Sequence, residues 1–225
     1  MPRYGCINER RNQLHEVIRL SGMNLIIDDN DHQLIIKVAS IPSARVQIYF
    51  IDNEEYFQRK YVLTDENGNY FGDNDERGIF FARGVIETVK KLRWSPDVVH
   101  CQGWFSAFIT MYLKKIFSDE PLFAGLKVVI SLYNDEFTGQ LNENVKKKVE
   151  DEGVKGPELS LLESPDYVNF IKFAATYADG IVFAEEGINQ QLKEYFAASG
   201  IPTLDCPKDD DYIDSYAEFY EKILQ

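Results

Sequence analysis

Cysteine, histidine and tryptophan are scarce in this chain: three, three and two among 225 residues. Cys6, Cys101 and Cys206 are odd in number and far apart. That excludes a disulfide framework and a Cys/His zinc spacing, and fits a reducing compartment. Three scattered histidines suggest neither a metal site nor a Ser-His-Asp triad. Positive charge is short as well: 24 Lys and Arg against 37 Asp and Glu give a formal net charge of -13. Such a surface repels phosphate backbones and anionic bilayers, so neither nucleic acid nor a membrane is expected as partner. The longest apolar stretch, around Trp104 to Leu113, falls far below the roughly 20 residues that span a bilayer. The opening MPRYGCINERRNQ has charges but no apolar signal core, and no Asn-x-Ser/Thr sequon is present. The expected location is the cytoplasm. The glycine patterns GxxxxGK[ST], GxGxxG and GxSxG are all missing. The run GDNDERG has the spacing of a calcium loop at Asp73 and Asp75, but Arg77 takes the next ligand position and Gly84 the closing one. No metal and no cofactor are expected.

What is present reads as alternating strands and helices. LIIKVAS (34–40) and RVQIYFID (45–52) read as a hairpin or two neighbouring strands, followed by a polar turn-rich loop over 65–78. From Asp75 to Leu92, Ile79, Phe80, Ala82, Val85, Ile86, Val89 and Leu92 share one broad helical face. DVVHC (97–101) predicts a short buried strand, and Gly103 opens a helix with basic residues at its end. LKVVISLYN (126–134) is the next strand, and 142–164 a charged, solvated helical excursion. A helix over 167–178, a strand over 179–185 and a helix over 187–200 closed by Gly200 follow. The chain ends in an amphipathic helix with Tyr212, Ile213, Tyr216, Phe219, Tyr220 and Ile223 as its apolar positions. This order predicts an α/β, Rossmann-like, mostly parallel sheet with helices on both faces, forming a single domain.

Ligands of such sheets bind outside the carboxyl ends of the strands. One predicted strand ends in His100-Cys101-Gln102-Gly103-Trp104 and the next in Tyr133-Asn134-Asp135. These ends are candidates to face one crevice. His100 reads either as a structural strand-end histidine or as a site residue. Trp104 reads either as a sugar-stacking platform or as packing between helix and sheet. The 13% aromatic content is compatible with sugar stacking and equally with an ordinary core.

FIDNEEYFQR (50–59) and YFGDNDERGIFFARGVIETVKKLRWSPDVVHCQGW (70–104) together resemble bacterial glycogen synthase and plant starch synthase. Those enzymes carry a pattern close to YFDR…YGDN…ERF.FF.RA.LE…W.PD..H.HDW. MPRYG is similar to the end of their second strand, and YVNFIKFAATYADGIVFAEE (167–186) to their INFLKAGI.YAD.V.TVSP.YA segment. The resemblance covers most of residues 1–190. It implies a retaining glycosyltransferase of two Rossmann-like domains that transfers glucose from ADP-glucose, or UDP-glucose, to the non-reducing end of an α-1,4-glucan without a metal. The N-terminal domain serves the acceptor side, and the C-terminal domain holds most of the donor nucleotide. The substrate-binding candidates it implies here are His100, Gln102, Trp104, Tyr133, Asn134, Asp73 and Asn74; no catalytic residue is assigned.

The departures shape the expectation. The family's opening strand with its Lys-x-Gly-Gly-Leu loop has no counterpart, so it would lie ahead of Met1. The family's His-x-His-Asp-Trp becomes His100-Cys101-Gln102-Gly103-Trp104, and its Ile-His-Asn becomes Leu132-Tyr133-Asn134. Gln102 can hydrogen-bond a hydroxyl but cannot carry a proton. The family's second domain, with its catalytic glutamate and cationic phosphate contacts, is not in this sequence. The expected organisation is therefore a synthase N-terminal-like domain over 1–210, with 211–225 as a crossover-type helix packed on it. Three functions follow as expectations: a synthase-like domain incomplete for catalysis alone, a non-catalytic glucan-binding or regulatory protein, and a partner of a separate subunit or of a second copy. Its partners would be an α-glucan or a nucleotide sugar.

Overall fold

The computed structural model describes residues 1–207 and 212–225. The expected boundary at 210/211 lies outside the described residues. The chain divides into two compact units, Met1–Trp94 and Ser95–Gln225.

The first unit is antiparallel. Strands β1 (His15–Glu16) and β2 (Met23–Ile27) both pair with β3 (Asn30–Ile41), which also pairs with β4 (Val46–Asp52). The β3–β4 pair is the hairpin read from the alternation. β1 and β2 have no counterpart in that reading, because β1 is two residues long and β2 alternates Leu25 and Ile27 with exposed Asn24 and Ile26. Asp28 and Asp29, at φ 48° and 62°, turn β2 into β3; short acidic side chains tolerate this region best after glycine. Helix α1 (Glu54–Phe57) is capped by the Asn53 side chain, and α2 (Asn74–Leu92) buries Ile79, Phe80, Ala82 and Ile86 as the periodicity requires. Gly84 sets how closely α2 approaches the strands: a Cβ there would lie 2.7 Å from the Ile51 Cγ2.

The second unit carries the parallel sheet. β5 (Val98–Gln102), β6 (Lys127–Leu132), β7 (Gly180–Phe183) and β8 (Thr203–Leu204) stand in sequence order, all parallel. The segment after Gly103 is less regular than one α-helix. It runs from a 3-10 turn at Trp104–Ser106, through α3 (Phe108–Met111), into a π-helical turn at Tyr112–Ile116. The excursion over 142–164 holds α4 (Val145–Asp151) and a 3-10 stretch at Pro157–Glu163. It is not simply solvated, because Val145, Val149 and Leu162 are each 0% exposed. Its many lysines and glutamates hid that apolar stripe. Helix α5 (Tyr167–Ala175) is capped by the Asp166 carboxylate, and α6 (Gln190–Ser199) ends at Gly200 in the left-handed region.

Helix α7 (Tyr212–Leu224) lies on one face of this sheet: Tyr216, Phe219 and Ile223 pack with Val129 and Val182. Side chains alternate across a strand, so Cys101, Ile130 and Ile181 point to the opposite face. Gly180 makes the α7 contact close, since a Cβ there would sit 2.8 Å from Phe219 Cζ. The first turn of α7 departs from the expected apolar face. Tyr212 and Ile213 are 52% and 78% exposed, the contact stripe beginning one turn later at Tyr216.

Candidate functional site

The parallel register sets the strand ends side by side. Gln102 pairs with Ser131, and the Gly103 N–H donates to the Ser131 carbonyl at 3.0 Å. Gln102 is exposed at the end of β5, its side chain open to a ligand.

His100 points to the α7 face and is fully engaged. Its Nδ1 lies 2.6 Å from the Tyr220 hydroxyl and its Nε2 2.6 Å from the Ser131 hydroxyl. Two hydroxyls satisfy either neutral tautomer. Burial lowers its pKa to about 4, so the ring is uncharged near neutrality. His100 thus ties the sheet to α7. Tyr133 is half-buried, and burial raises its pKa. Trp104 is 1% exposed and packs edge-on against Phe105, Phe137 and Phe170. It fills the layer between sheet and helices and offers no ring face to a sugar.

Asn134 and its neighbours knit the strand-end loops together. The Asn134 N–H donates to Glu185 Oε2 and its side-chain amide to the Glu186 carbonyl, both at 2.8 Å. The Asn189 amide donates to the Glu136 carboxylate at 3.2 Å. Asp135 sits inward: its Oδ2 accepts the Trp104 N–H at 3.2 Å and its Oδ1 the Tyr167 hydroxyl at 3.3 Å. Beside these loops lies a depression of about 610 Å³. Glu136 to Gly139 supply one wall, Tyr167, Asn169 and Lys172 of α5 another, and Asn189 and Gln191 a third. Amides, two hydroxyls, carboxylates and the Lys172 ammonium share its lining with apolar surface, a donor and acceptor set suited to a polyhydroxylated ligand. The sequence analysis missed these residues. The signal available was their position just after β6 and β7, at the carboxyl edge where such sheets bind ligands.

Asp73 and Asn74 belong to the first unit and act structurally there. Asp73 pairs with Arg59, at 2.8 Å from Nη1. Asn74 is 3% exposed; its amide donates to the Leu63 carbonyl at 2.9 Å and its oxygen accepts from Arg77. The buried Arg77 donates onward to the Tyr56 and Val62 carbonyls, each at 2.7 Å. Asn74 thus anchors the 59–73 loop. Among the described residues, no group of three or more His, Cys, Asp or Glu is placed to hold a metal ion. Nor is any helix among them long and apolar enough to cross a membrane.

The model of the starch synthase catalytic domain matches residues 1–204. The chain belongs to the starch synthase catalytic domain family. Among its relatives, the glycogen synthase of Chlorobium luteolum is 38% identical over 180 residues, covering 80% of this chain and 36% of that protein. That of Pelodictyon phaeoclathratiforme is 34% identical over 201 residues, 87% of this chain and 40% of the relative. The catalytic domain of starch synthase IV from Arabidopsis thaliana, solved with ADP and acarbose bound, shares the fold at TM-score 0.69 and 14% identity, over 94% of this chain and 44% of that one. This starch synthase-family chain therefore spans well under half the length of the relatives it matches.

Proposed function

We propose that this chain supplies the glucan-binding, acceptor-side surface of a starch synthase-type glucosyl transfer and does not turn over alone. Its ligand is an α-1,4-glucan end, held by Gln102, Asn134 and the polar depression beside them. The family membership supports the ligand class, as does the presence of acarbose, a carbohydrate, in the Arabidopsis relative. The observation that carries the second half is the state of the strand-end groups. His100 is neutral and bonded on both nitrogens, Asp135 is occupied by Trp104 and Tyr167, and Gln102 has no proton to give. Stabilising a departing nucleotide takes preorganised positive charge, which these three groups do not present. A coupled assay for ADP release from ADP-glucose with maltoheptaose tests the reading. No turnover above blank is expected; turnover lost on Gln102→Ala would overturn it.

A further inference from the structure

The turn after β5 holds a carboxylate that the resembled motif places one strand away. Between Gln102 and Trp104, where His-x-His-Asp-Trp has its aspartate, this chain has Gly103. Gly103 adopts φ 73° and ψ 166°, a conformation open essentially to glycine alone. A Cβ at that position would lie 2.5 Å from Asp135 Oδ2. The space a side chain at 103 would enter is filled by the Asp135 carboxylate, reaching across from the end of β6.

Its contacts give that carboxylate work to do. One oxygen accepts the Trp104 N–H at 3.2 Å, the other the Tyr167 hydroxyl at 3.3 Å. Trp104 is buried and fixed by three aromatic rings, and Tyr167 is a wall of the polar depression. Burial raises the pKa of Asp135, so it ionises at a higher pH than an ordinary carboxyl.

We propose that Asp135 is the positioning carboxylate of this cleft, transposed from the β5 end to the β6 end, with the bare edge of Gly103 as its seat. Through the Trp104 N–H it sets the turn that carries Gln102. Through Tyr167 it sets the wall against which a glucosyl unit rests. The proposal rests on the glucan-binding reading for its ligand only.

The test is a set of variants, Asp135→Ala, Asp135→Asn, Gly103→Ala and the double Gly103→Ala/Asp135→Ala, read three ways. First, the Trp104 backbone amide, followed by NMR between pH 3 and 7, shifts with the ionisation of Asp135; the shift disappears in Asp135→Asn. Second, Gly103→Ala destabilises the protein less in the Asp135→Ala background than in the wild type, because part of its cost is the collision with the carboxylate. Third, Asp135→Ala weakens maltoheptaose binding about tenfold, and Asp135→Asn, which keeps an acceptor for the Trp104 N–H, restores part of the loss. A Trp104 amide indifferent to pH, additive stability effects, or unchanged affinity in Asp135→Ala would each overturn the proposal. If the wild type binds no maltoheptaose, the glucan reading fails, while the amide titration and the stability cycle still decide where the carboxylate sits.

Discussion

Acidification should loosen α7 through one residue. His100 is clamped between Ser131 of the sheet and Tyr220 of α7, and burial depresses its pKa from 6.5 to about 4. The unfolded chain therefore binds a proton at His100 between about pH 6.5 and 4, where the folded chain resists it. The contribution of a neutral His100 is fully present above the unfolded value and is lost as pH falls through the folded one. At about 1.36 kcal/mol per pH unit, complete burial would give roughly 3 kcal/mol. The ring is partly solvated, and screening reduces the expected effect to about 2 kcal/mol. Urea unfolding of the wild type and of His100→Gln, in half-unit steps from pH 7.5 to 3.5, isolates it, because the remaining groups cancel in the difference. The wild type should lose about 2 kcal/mol more than the variant across that window. Amide protection factors over residues 212–224, corrected for the intrinsic pH dependence of exchange, should fall in the wild type over the same range. Parallel stability profiles, or a His100 titration near 6.5 by NMR, would refute the reasoning.

Gly180→Ala places a methyl 2.8 Å from Phe219 Cζ, so it should cost about 1–3 kcal/mol and speed amide exchange in α7. Trp104→Ala empties the aromatic layer between sheet and helices; denaturant unfolding should show a loss of about 3–5 kcal/mol, with Trp104→Phe costing less. Arg77→Ala strips the Tyr56 and Val62 carbonyls of their donor, and limited proteolysis should then cut the 59–73 loop faster; Arg77→Lys should not restore the resistance, since an ammonium lacks the fork that reaches both carbonyls. Burial pushes the Cys101 thiol up to about 12, so a thiol reagent at pH 8 should label exposed Cys6 and leave Cys101 untouched until the protein unfolds.

The parallel sheet was legible because its strands, VVISL, GIVF and VVHC, are short, continuous and largely apolar. The long α2 was legible from its 3.6-residue repeat, and Gly200 marked the end of α6 by the conformation it alone adopts easily. β1 and β8, at two residues each, are too short to carry a pattern, and the alternation of β2 is masked by its exposed Ile26. For the candidate site, the sequence showed which residues end the strands: Gln102 closes β5 and Asn134 follows β6. A strand's two faces differ, however, and nothing local in VVHCQGW says that His100 faces a helix more than a hundred residues later. The Asp135 carboxylate beside Gly103 is a contact between chain segments 32 residues apart. Only the register of β5 on β6 brings them together.

Binding of maltoheptaose to the isolated chain, mapped by NMR residue by residue, tests the account most directly. The account predicts saturable shifts concentrated at 102–104, 134–139, 166–172 and 189–191. Saturation without movement in those segments, or no binding at millimolar sugar, would contradict it.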